Sequence, residues 1–87
     1  YKNYPNPFNP QTNLSFTLAT SGRATLKIYN QKGQLVKTIV DNDLAKGDYR
    51  YVWNGKDNNG HPVASGVYLY SLITEGKSQT RKMLLLK

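Results

Sequence analysis

Few groups in this chain have the types and spacing for chemistry. His61 is its single histidine, and it lies between Asp57 and Ser65 in "DNNGHPVAS" (57–65). A carboxylate, an imidazole and a hydroxyl are the parts of an acyl-transfer triad, in which the acid orients the base and the base activates the nucleophile. Here all three fall in one turn-rich stretch that supplies no fixed orienting geometry, so a surface-loop histidine is expected. The five carboxylates are also poorly clustered. Asp41, Asp43 and Asp48 are read as flanking a loop, and Asp57 sits in a turn, whereas glycoside hydrolysis needs two carboxyl groups facing each other across a cleft. No catalytic residue is expected, and the chain is not read as an enzyme.

Metal binding is tested by the same stretch. "DNNG" looks like part of a calcium loop, but an EF-hand needs alternating ligands and a bidentate Glu at position 12. Counting from Asp57 reaches Val67, Tyr68 and Leu69 near that point. A looser calcium site on Asp57 and backbone carbonyls stands beside a plain hairpin turn through Asp57, Asn59 and Gly60, which explains these residues without an ion. The chain has no cysteine, which removes disulfides and thiolate metal sites. No cofactor and no metal site is expected.

The aromatic residues raise carbohydrate binding. Tyr49, Tyr51 and Trp53 share one face of a strand-like run, the spacing of a sugar-stacking platform. A small sandwich also needs a large central aromatic, and Tyr68 and Tyr70 are available as partners, so this face is assigned to the core.

Twelve Lys/Arg against five Asp/Glu give a net charge of +7. Such a surplus suits nucleic acid, an anionic membrane surface or an acidic glycan. The cations are scattered singly, however, so solvated strand faces account for most of them and no nucleic-acid partner is expected. The tail carries Lys77, Arg81, Lys82 and Lys87 with no acid after Glu75. Its end, "RKMLLLK" (81–87), puts Met83 and Leu85 on one face of a strand and Leu84 and Leu86 on the other. Either both faces are covered in the fold, or the strand is partly offered to another protein by edge addition.

The elements that must position these groups follow from a recurrent apolar period of two. Leu14, Phe16 and Leu18 alternate with polar residues, as do Ala24, Leu26 and Ile28. "QLVKTIV" (34–40) is a third run, Tyr49–Trp53 a fourth, and Val67–Thr74 and Thr80–Leu86 the last two. Gly33 and Gly47 mark turns that need a positive φ, "DNNGHP" contains the Asn-Gly hairpin signal, and "TEGKS" closes a final hairpin. Six or seven short strands so spaced predict an all-β, immunoglobulin-like antiparallel β-sandwich. Eighty-seven residues make one such domain. No apolar run is long enough for a transmembrane segment.

"YPNPFNP" (4–10) holds three of the four prolines. Proline lacks a backbone N–H and pushes its predecessor toward extended conformations, so this stretch suits neither a helix interior nor a central strand. The reading is a Pro-rich entrance segment over 1–12, packed on the domain edge through Tyr4 and Phe8, followed by a sandwich over 13–87. The start at Tyr1 leads to the expectation that the chain is the C-terminal piece of a larger protein.

Several separated motifs carry a family resemblance across essentially the whole chain. "YPNPFNPQTNLSFTL", "KIYNQKGQLVKTIV", "WNGKDNNGHPVASGVYLYSL" and "RKMLLLK" resemble the type A C-terminal sorting domain of the type IX secretion system. The same pattern is similar to the immunoglobulin-like domain of flagellar hook-capping proteins. Asn54, where an aspartate is usual, and Ala19, where a proline is common, are departures. The resemblance implies a C-terminal sorting signal for an upstream cargo domain, recognised by the secretion translocon and a sortase-like peptidase. It also implies passage through the periplasm and then release or attachment at the cell surface. Lys82, Met83, Leu84, Leu85, Leu86 and Lys87 correspond to the sorting segment. The alternatives are a non-catalytic structural or assembly module and a carbohydrate-binding accessory module. The predicted core comprises Leu14, Phe16, Leu26, Ile28, Tyr49, Tyr51, Trp53, Tyr68 and Tyr70.

Overall fold

A computed structural model describes residues 12–74 and 76–86. The entrance reading through Tyr4 and Phe8 lies outside the described residues, as does Lys87. Six strands follow in order: β1 Thr12–Leu18, β2 Gly22–Asn30, β3 Leu35–Leu44, β4 Gly47–Trp53, β5 Gly66–Thr74 and β6 Lys77–Leu85. All pairings are antiparallel. β1 and β4 form a two-stranded sheet, and the other four strands form a second sheet in the order β3-β2-β5-β6.

Strand β2 shows why the alternating sequence produces this layering. Successive side chains point to opposite faces of a strand, so Ala24, Leu26 and Ile28 all point inward and are buried. Their neighbours Thr25, Lys27 and Tyr29 take the outer face. Across the gap, β1 contributes Leu14 and β4 contributes Trp53, while Val36, Val40, Tyr68 and Leu85 complete the buried cluster. Phe16, Tyr51, Tyr70, Leu72 and Met83 pack against it, half-buried.

Two connections are hairpins within the larger sheet. The β2–β3 turn is organised by Asn30, whose Oδ1 accepts the backbone N–H of Lys32 (2.9 Å) and of Gln34 (3.0 Å). Gly33 sits there at φ 83°, a left-handed conformation that side chains disfavour. The β5–β6 turn joins the paired residues Thr74 and Lys77, as "TEGKS" predicts.

Elsewhere the structure corrects the sequence reading. Asp41 and Asp43 do not flank a loop: β3 continues to Leu44, with Asp41 opposite Thr25 and Asp43 opposite Arg23. Asp48 lies in β4, opposite Thr17. Polar side chains persist in this end of β3 because partners on neighbouring strands receive them. Asp41 Oδ1 accepts from Arg23 Nη2 (2.8 Å) and from Thr25 Oγ1 (3.1 Å). The turn at Gly47 is not a strand-to-strand hairpin, because it lies between strands of opposite sheets. The turn at 57–60 does close a short local hairpin, with Lys56 bridged antiparallel to Pro62, but β4 and β5 on either side of it lie in opposite sheets. Thr12, assigned to the entrance segment, already pairs with Trp53.

Candidate functional site

The aromatic residues of β4 face inward. Trp53 is 1% exposed, stands edge-on to Tyr68 at 5.2 Å between ring centroids, and donates its indole N–H to the Lys56 carbonyl at 2.8 Å. A buried indole needs such an acceptor, and the carbonyl comes from the turn immediately after the strand. Tyr51 and Tyr49 stack with Phe16 at 6.0 and 5.4 Å. Tyr49 lies outside the buried cluster, half-buried at its rim, because its hydroxyl reaches out to the Ala45 carbonyl (2.6 Å). Tyr68 makes the equivalent bond to Ala64 (2.6 Å), so two hydroxyls each tie a strand to the loop that leads into it. These rings do not form an exposed stacking platform for sugars, since Trp53 is inaccessible.

The stretch with triad-like composition is a self-satisfied turn. Asp57 Oδ1 accepts the backbone N–H of Asn59 and of His61, each at 2.9 Å, and the Gly60 N–H donates to the Asp57 carbonyl (3.0 Å). Gly60 holds φ 82° to close it. The carboxylate is therefore directed to backbone amides. These bonds, that from His61 foremost, hold the Asp57 carboxyl below its ordinary value of 3.8. A carboxyl lowered in the folded state stabilises the fold above its unfolded pKa, and the stabilisation is lost as pH falls through the folded value. The melting temperature should therefore drop on acidification below about pH 4, and Asp57→Asn should flatten part of that drop. Thermal melts of both proteins at a series of pH values check this, and parallel curves would refute it. Among the described residues no group of three or more His, Asp or Glu gathers as a metal site.

Asn58, in the same turn, has a role that the sequence did not disclose. Its N–H donates to the Val36 carbonyl (3.0 Å) and its Oδ1 accepts the Thr38 N–H (3.1 Å). The turn thus docks on the outer edge of β3, twenty residues away in sequence. No local signal marks a residue whose partners are so distant.

The tail resolves into two unlike faces. Leu85 is 2% exposed in the core, and Met83 packs half-buried beside it. Leu84 and Leu86 are 59% and 70% exposed, and Lys82 is also exposed. β6 is an edge strand, so one side of this segment pairs with β5 and the other carries no strand among the described residues. The sequence reading that both faces are covered does not hold. Leu84 and Leu86 form an exposed outer face.

Two packed antiparallel sheets, an inward Trp and hydroxyls tied back to upstream carbonyls define an immunoglobulin-like sandwich. The chain belongs to the FlgD Ig-like domain family, whose family model matches residues 4–78. Among solved structures it is similar to FlgD from Pseudomonas aeruginosa, with 25% identity and a TM-score of 0.65 over 86% of this chain and 60% of that one. FlgD from Xanthomonas campestris is 20% identical with a TM-score of 0.67, over 88% of this chain and 58% of that one. The chain thus spans about three fifths of the length of these FlgD structures. No curated protein matches it. Among the described residues no helix is long and apolar enough to cross a membrane.

Proposed function

We propose that this domain is a non-catalytic immunoglobulin-like assembly module of the hook-capping kind. The observation that carries the reading is the family match over 4–78, supported by the likeness to P. aeruginosa FlgD. The geometry agrees with a structural role, because the Asp57 carboxylate is bound to backbone amides of its own turn. The partner on this reading is a flagellar hook or a comparable protein assembly. Hook capping is essential for flagellar assembly in the X. campestris protein. The test is a chimera in which the Ig-like domain of that FlgD is replaced by this one, expressed in a strain lacking FlgD. Flagella should form; a chimera that is expressed and folded but builds none overturns the reading.

A second reading is favoured by the outer face of β6. The exposed Leu84 and Leu86 on an edge strand suit a sorting signal read by the translocon and sortase-like peptidase of the type IX system. An upstream cargo would then cross the periplasm and reach the cell surface or medium. Removing residues 82–87 cannot test this cleanly, because the deletion takes Leu85 out of the core. The appropriate variant is Leu84→Ser with Leu86→Ser, fused to a reporter in a host carrying that system. Loss of surface display with an unchanged melting temperature supports sorting; display that ignores the substitutions refutes it.

A further inference from the structure

The sandwich is asymmetric: two strands lie over four. A strand pair spans roughly half the width of a four-stranded sheet at about 4.8 Å per strand, so among the described residues part of the larger sheet lacks a facing strand. The uncovered part lies between β1 and β6. There a cleft of about 400 Å³ is lined by residues including Leu14, Phe16, Tyr70, Leu72, Gln79 and Arg81. A second cleft of about 200 Å³ continues it toward Thr74 and Lys77, sharing Thr17, Leu72 and Gln79 with the first.

The inner face of β6 changes character along its length. Leu85 and Met83 belong to or pack on the core, but Arg81 and Gln79 stand opposite Tyr70 and Leu72, and Lys77 opposite Thr74. Arg81, Gln79 and Lys77 are all exposed. None of their side chains has a hydrogen-bond or charge partner among the described residues, where the single ion pair is Arg23–Asp41. Among the described residues β1 pairs only with β4, and its other edge, with no strand of those residues on it, presents backbone N–H and C=O groups beside these cations.

We infer that this cleft takes an extended acidic peptide segment of a partner protein, added as a third strand on the free edge of β1. Backbone bonds to β1 supply the ladder, and side chains of alternate residues enter the cleft. An apolar one rests on Phe16, Tyr70 and Leu72, and carboxylates meet Arg81 and Lys77. Charge complementarity selects this occupant. Residues 1–11 of the same chain contain no carboxylate and three prolines, and a second copy brings a further +7. The inference rests on the reading of the domain as an assembly module and names the chemistry of its partner.

The probe is a fluorescein-labelled peptide, capped at both ends, with Glu and Val alternating at every second position and Ser between them, so that both types share one face of a strand. It is titrated into the 87-residue chain and read by anisotropy. Saturable binding is expected, weakened at least tenfold by Arg81→Glu and further by adding Lys77→Glu. Lys32→Glu, in the β2–β3 turn, should leave it unchanged. Amide exchange should slow in β1 on binding. Both cleft residues are exposed, so the variants should melt as the parent does, which is checked first. Three outcomes overturn the inference: no saturable binding, equal binding by the charge-reversed variant, or protection on β6 or a dimer contact in place of β1. None of these depends on flagellar assembly, so the chimera remains an independent test of the module reading.

Discussion

Trp53→Ala abolishes the cooperative unfolding transition, or leaves a domain that melts near ambient temperature. A domain of this size has roughly 4–13 kcal/mol of stability at 0.05–0.15 kcal/mol per residue, and truncating a buried Trp to Ala costs about 3–5 kcal/mol. Trp53 belongs at the severe end for three structural reasons. It is fully enclosed, it holds the end of one of only two strands in the smaller sheet, and its loss strands the Lys56 carbonyl that its indole N–H satisfies. The edge-on contact with Tyr68 in the opposite sheet is lost as well. Trp53→Phe keeps a ring against Tyr68 and should lose distinctly less. Urea titration followed by far-UV circular dichroism distinguishes these outcomes, and a wild-type midpoint for Trp53→Ala would contradict the assigned core.

The second large effect separates neighbours in the tail. Leu85→Ala should destabilise the domain by about 2–5 kcal/mol, through lost apolar burial and the cavity left behind. Leu84→Ala, one residue earlier on the opposite face, should stay within about 0.5 kcal/mol of the parent, as surface substitutions usually do. The contrast arises because the strand period is two and only the inner face meets the core. Paired urea titrations read the difference directly, and equal losses would mean that the register of β6 on β5 is wrong. The result also fixes how tail variants are interpreted. A phenotype from altering Leu85 reports folding, whereas one from Leu84 or Leu86 reports recognition.

The layering was legible in residues such as Ala24, Leu26 and Ile28, because their alternation has a single physical explanation. Gly33 was legible for a similar reason, since a lone glycine between two apolar runs marks a turn that needs a positive φ. Asp41 and Asp43 were misread because carboxylates usually punctuate strands, and here Arg23 and Thr25 on the neighbouring strand receive Asp41. The Asn-Gly signal gave the turn and its short hairpin correctly, but not that the strands beyond it lie in different sheets, since local chemistry does not say whether flanking strands share a sheet. Arg81 appeared only as part of a basic tail, and Gln79 carried no signal. That they face an uncovered cleft depends on the smaller sheet stopping at two strands, which no local pattern encodes.

The docking of Asn58 on β3 has a consequence for valency. Strand pairing could extend a four-stranded sheet from either side, and a sheet open on both sides can propagate from copy to copy into a fibre. Here the β3 side has its Val36 carbonyl and Thr38 N–H occupied, and the strand is further irregular where its register against β2 shifts twice. Bulges of this kind twist an edge away from further pairing. Among the described residues only the β6 side carries neither a strand nor a docked turn, so for strand addition this sheet is a plug with one contact and not a link with two. Association through it ends after one event and does not propagate into a polymer.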